Sequence, residues 1–159
     1  MDSAPSPAPP RASSWALVGA LAFWGVGAVG GGIGLAGSPD GSALGIDPDV
    51  LEGTAFPDFR IPGLLLLALG VAALAAAAGV ARATRRHLLT RPLAWFVLLV
   101  AVGINAWIFG EMAVLWGAVA ELPAEDQRFY YGFWVTYGLF SLVIGALAVR
   151  VTRTRLAKG

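Results

Sequence analysis

The chain contains no cysteine among its 159 residues. Disulfides, thiolate metal sites, haem attachment and lipid acylation at cysteine are therefore excluded. Charge is also scarce. Only 13% of residues are charged, against roughly 25% in a soluble domain. With 57% hydrophobic residues, the chain has too few polar groups to cover its own surface in water. Histidine occurs once, as His87. It sits in an arginine cluster with no second histidine and no nearby carboxylate, so a metal site or catalytic dyad there is not expected. No P-loop, dinucleotide fingerprint or serine nucleophile elbow is present. No cofactor, no metal and no enzymatic activity are expected, and nucleic acid is not an expected partner.

What is present is long apolar runs. A hydrocarbon core of ~30 Å needs about 20 apolar residues per helix. No charge falls between Arg11 and Asp40, between Arg60 and Arg82, or between Arg128 and Arg150. A fourth run extends from Arg91 to Glu121, broken only by Glu111. These runs predict an all-α integral membrane protein, an antiparallel four-helix bundle with spans about 15–36, 62–81, 93–120 and 129–149. A secretory leader is the rival reading of the first run, with Gly34-Leu35-Ala36 as a cleavage site. The run far exceeds the usual 7–15 residue apolar region, which favours a retained helix. Residues 1–14, rich in Pro, Ala and Ser, read as a disordered tail. Residues 150–159 read as a basic cytoplasmic tail.

The basic residues are unevenly placed. Arg11, Arg82, Arg85, Arg86, Arg91, Arg150, Arg153, Arg155 and Lys158 fall in the N-terminal segment, the second connection and the C-terminal tail. Only Arg60 and Arg128 fall in the first and third connections. The positive-inside rule then places both termini in the cytoplasm. Arg82, Arg85, Arg86 and Arg91 read as topology determinants touching anionic lipid headgroups. Arginine outnumbers lysine ten to one. With the excess of Ala and Gly, this points to a bacterium with a GC-rich genome, hence to the bacterial plasma membrane.

The loop 37–61 is the one long polar interruption and holds half of the acidic residues: Asp40, Asp47, Asp49, Glu52 and Asp58. Pro39-Asp40-Gly41 predicts a tight turn. Asp47-Pro48 predicts an N-cap and first helical residue, with Val50 and Leu51 as an apolar face and Gly53 as the stop. This gives a small surface helix. The acids do not follow the EF-hand pattern, since only Asp47 and Asp49 alternate, and they read as turn and cap residues. Pro62 lies in the first turn of the second span, where a missing N–H is harmless.

Glycine spacing predicts where helices approach. Gly27/Gly31 and Gly30/Gly34 in the first span stand four apart. Gly63/Gly70, Gly103/Gly110/Gly117 and Gly138/Gly145 recur every seven residues, which keeps small residues on one seam. Trp15 and Trp95 are expected in an inner aromatic belt. Trp116, Phe129, Tyr130, Tyr131 and Trp134 are expected in an outer one.

Two polar residues inside the third span are the candidate ligand or ion residues. Charge at bilayer depth is costly and is usually paired or functional. Glu111 lies ~27 Å along the helix from Leu93, nearer the outer face. It is either a structural residue, protonated or held by Tyr, Trp or Arg, or a proton or cation site open to the outside. Arg60 and Arg128, at the outer ends of neighbouring spans, are the expected basic partners. Asn105 lies roughly 120° from Glu111 around the helix and is expected to make an interhelical hydrogen bond.

The residues Gly31, Gly32, Asp40, Gly41, Phe56, Asp58, Ile61, Pro62 and Gly63 form a pattern around this first loop. It resembles a family of bacterial four-helix integral membrane proteins to which no activity is assigned. The order Phe56-Pro57-Asp58 departs from that family's proline-first order. The resemblance implies a polytopic membrane protein and no reaction. The expected function is a non-enzymatic structural or accessory membrane component, with a transporter or channel subunit using Glu111 as the alternative. The expected partners are the lipid bilayer, a second copy and other membrane proteins.

Overall fold

The computed structural model describes residues 11–156. Four helices account for most of them: α1 (Arg11–Gly37), α2 (Arg60–Arg86), α3 (Arg91–Glu121) and α4 (Ala124–Leu156). All four are long and apolar enough to cross a membrane. The connections after α2 and α3 are short, so consecutive helices run antiparallel. α1 packs most extensively on α2, and α3 on α4; the contacts of α2 with α3 and of α1 with α4 are sparser. The bundle is therefore two hairpins laid side by side.

The helices exceed the expected spans at several ends, for local reasons. α1 starts at Arg11, so Arg11–Ser14, expected in the tail, form its first turn; Ser13 and Ser14 are buried there. The rest of that tail lies outside the described residues. α2 starts at Arg60 because the Asp58 carboxylate accepts the Arg60 backbone N–H at 2.8 Å, capping an otherwise free donor. It ends at His87, whose φ of 55° is left-handed and whose N–H returns to the Ala83 carbonyl. α4 begins at Ala124 rather than Phe129. Glu125 and Asp126 in its first turn suit the positive end of the helix dipole. The Gln127 side chain donates back to the carbonyls of Ala120 and Leu122 at 2.9 and 2.8 Å, closing the end of α3. At its other end α4 continues through residues 150–156, into the segment expected as a basic tail.

The tightest seam joins α1 to α2. A Cβ on Gly32 would stand 2.5 Å from the backbone nitrogen of Leu67, and one on Gly63 would stand 2.5 Å from that of Ala36. Gly25 and Gly70 meet two turns away; a Cβ on Gly70 would be 2.8 Å from the Val29 nitrogen. The α1 glycines that matter are thus Gly25 and Gly32, seven apart. Gly27 and Gly30 of the expected four-residue pairs have nothing within 4 Å. The Gly63/Gly70 expectation agrees with the structure. In the other runs Gly103 approaches Leu69 and Gly145 approaches Asn105, but Gly110, Gly117 and Gly138 face open space. A seven-residue repeat marks a stripe, and only the α1–α2 backbones come close enough to need glycine on it.

The buried residues follow heptad stripes. On α3 they include Ala94, Val97, Ala101, Ile104, Ile108 and Leu115; on α4 they include Trp134, Ser141, Ile144, Ala148 and Val151. Large apolar side chains such as Phe23, Leu99, Val102 and Leu139 are more than 60% exposed around the girth. That surface suits hydrocarbon and does not suit water.

Candidate functional site

The loop end of the bundle is built by cap chemistry. Gly41, at φ 79°, turns the chain where any Cβ would strike the Ile46 carbonyl. Asp40 accepts the Ser42 hydroxyl at 2.7 Å and the Ser42 N–H at 3.1 Å. These bonds hold the Asp40 carboxyl below its usual range, the hydroxyl contributing most. Asp47 accepts the Asp49 N–H at 3.0 Å and opens a single 3₁₀ turn over Pro48–Leu51. The expected surface helix is this short turn. Val50 and Leu51 are buried, in one apolar cluster with Leu115 and Val119 of α3. The Phe59 N–H donates to the Pro39 carbonyl at 2.9 Å, pinning the two ends of the loop together. The loop is therefore a fitted cap over the end of the bundle. Asp47, Asp49 and Glu52 face Glu121 across a cleft of about 640 Å³. Among the described residues, no three His, Cys, Asp or Glu side chains converge as metal ligands would.

Glu111 sits beneath this cap on the buried stripe of α3, between Ile108 and Leu115. Its polar neighbours are the indole N–H groups of Trp134 on α4 and Trp107 one turn earlier on α3. The Tyr130 hydroxyl lies within electrostatic reach of Glu111, Asp126 and Asp47. Trp134 is only 1% exposed, and its Nε1 has no acceptor at bonding geometry. Its approach to Glu111 is thus a near contact and not a closed hydrogen bond. Arg60 and Arg128 do not pair with Glu111. Both are exposed at their helix starts. The register explains this: the heptad stripe that carries Ser141 and Ile144 also carries Trp134 inward. Trp134 consequently leaves the outer belt, where Trp116 stays 55% exposed and stacks on it with centroids 6.2 Å apart.

Asn105 makes the expected interhelical bond. Its amide donates to the Ser141 carbonyl at 3.0 Å and to Ala101 at 2.8 Å, and its oxygen accepts the Ser141 hydroxyl at 3.1 Å. Ser141 is fully buried and was not a candidate from sequence. Its seven-residue offset from Trp134 and from Ala148 was the available signal. Asn105 and Glu111 both meet α4, two turns apart, but Asn105 is committed to Ser141 and the two do not form one site.

At the opposite end Arg11 donates to His87 Nε2 at 2.7 Å, joining the start of α1 to the end of α2. The Arg85 guanidinium lies 5.7 Å from the Trp15 ring centroid, a cation–π contact. Arg82, Arg86 and Arg91 are exposed at the same end. Comparison with protein-family models, curated proteins and solved structures finds no match.

Proposed function

We propose that the protein is a small, non-enzymatic, multi-pass component of a bacterial plasma membrane, with both termini in the cytoplasm and the acidic loop outside. It acts by occupying the bilayer and packing against itself or other membrane proteins. The observation that carries this reading is where the polar side chains are spent. Asn105 and Ser141 satisfy each other, Asp40, Asp47 and Asp58 cap local turns, and Thr84 and Thr152 bond the carbonyls one turn back. These are structural uses.

A second reading is favoured by one observation, the buried Trp134 N–H left open beside Glu111. Under it, Glu111 is an intramembrane proton or cation site reached from the loop side. Flux in proteoliposomes separates the two readings. Wild-type flux equal to that of empty liposomes, from mildly acidic to mildly basic pH, supports the accessory component. Flux that Glu111→Gln abolishes while the fold and melting temperature stay intact supports transport.

A further inference from the structure

Between α3 and α4 an apolar groove of about 490 Å³ opens onto the outer surface of the bundle. Ala101 and Gly145 form its floor, and the exposed Val102, Phe109, Leu142 and Val149 form its rims. Its one polar lining group, Asn105, has its amide already bonded to Ala101 and Ser141. From Leu98 to Phe109 the groove runs about 17 Å at 1.5 Å per residue. Half of a ~30 Å hydrocarbon core is about 15 Å, so the groove is one leaflet long.

Its charged end is also defined by register. Val102, Leu98, Trp95 and Arg91 follow one another on α3 at steps of four, three and four residues. Leu142, Ala146, Val149 and Arg153 do so on α4 at steps of four, three and four. Residues at such steps share a helix face. Asn105 lies opposite Ser141, so Arg91 and Arg153 stand within about 3 Å of the same depth. Both are exposed. Two arginines thus stand on the faces that carry the groove, beyond its basic end at Leu98 and Val149 by about two turns on α3 and one on α4, with Trp95 on the face between Arg91 and Leu98.

We infer that this groove is a binding site for an anionic phospholipid, its phosphate between Arg91 and Arg153 and one acyl chain along the groove. Basic positions between helices at a cytoplasmic membrane face suit such headgroups, and two guanidinium forks suit phosphate oxygens. The inference rests on the membrane reading above and not on any transport role of Glu111, nor on which side of the membrane the basic end faces.

The test is native mass spectrometry of the purified full chain titrated with phosphatidylglycerol or phosphatidylcholine of identical acyl chains. The wild type is expected to bind one phosphatidylglycerol roughly thirtyfold more tightly, the product of two arginine contacts at about 1 kcal/mol each. Arg91→Gln with Arg153→Gln should abolish that preference, whereas Arg82→Gln with Arg86→Gln should keep it. Ala106→Phe, at an exposed groove position, should weaken binding of both lipids without changing the helical circular dichroism. Soluble glycerophosphoglycerol should not displace the lipid. Equal binding of the two lipids by the wild type would overturn the inference. So would a preference that survives loss of Arg91 and Arg153, unchanged binding in Ala106→Phe, or displacement by the headgroup alone. None of these outcomes bears on topology or flux, so the site can fail while the membrane reading stands.

Discussion

Asn105 and Ser141 hold α3 to α4 by two reciprocal bonds in a region otherwise made of hydrocarbon. Interhelical hydrogen bonds in membranes contribute about 0.6–2 kcal/mol. Asn105→Ala and Ser141→Ala should each lower stability by about that amount, and the double variant should lose clearly less than the sum of the two. Equilibrium unfolding in mixed micelles measures the cycle. Glu111→Gln should fold normally, since the amide has nearly the carboxyl's volume and can donate and accept hydrogen bonds; melting in detergent checks this. Asp40 carries a pH-dependent contribution. Its folded carboxyl is depressed, chiefly by the Ser42 hydroxyl. The stabilisation is therefore present above the ordinary carboxylate pKa and is lost as pH falls through the depressed value. Ser42→Ala should move the Asp40 pKa up toward its ordinary value, read by NMR titration. At this scale the sequence revealed which residues needed partners and missed some of the partners. Asn105 was recognisable as an interhelical donor. For Glu111 the sequence admits Tyr, Trp and Arg alike and does not single out Trp134, whose indole makes a near contact. What decides is which side chain the α4 stripe turns inward, and that is Trp134.

The elements were legible from apolar runs, because a bilayer leaves the backbone no alternative to helix over such lengths. Their ends were less so, being set by the Asp58 cap, the left-handed His87 and the Gln127 side chain. Glycine spacing was informative on α2 and misleading on α1. Four-residue pairs were expected there, while an antiparallel pair sharing one long seam selects Gly25 and Gly32, opposite Gly70 and Gly63. Gly32→Ala should force the α1 and α2 backbones apart and destabilise by about 1–3 kcal/mol. Gly27→Ala, with open space around it, should be neutral or slightly stabilising through helix propensity. Gly110→Leu should likewise cost little, although its seven-residue register taken alone predicts overpacking. Thermal unfolding of the three variants in one detergent distinguishes a true seam from a mere repeat.

The whole molecule is polarised along its axis. One end carries the acidic loop, with Val50 and Leu51 buried against α3. The other gathers Arg11, Arg82, Arg85, Arg86, Arg91, Arg150 and Arg153. In a membrane this polarity sets orientation, and the proposed role depends on it more than on any single side chain. The chain has no cysteine of its own, so single introduced thiols report without background. Ala43 and Thr90 are exposed at opposite ends, and neither side chain makes a hydrogen bond among the described residues. Single variants Ala43→Cys and Thr90→Cys are treated in intact cells with a membrane-impermeant maleimide. With the acidic loop outside and the basic end in the cytoplasm, Ala43→Cys should be labelled at once, and Thr90→Cys only after the membrane is permeabilised. Labelling of Thr90→Cys in intact cells, or protection of Ala43→Cys, would contradict that orientation.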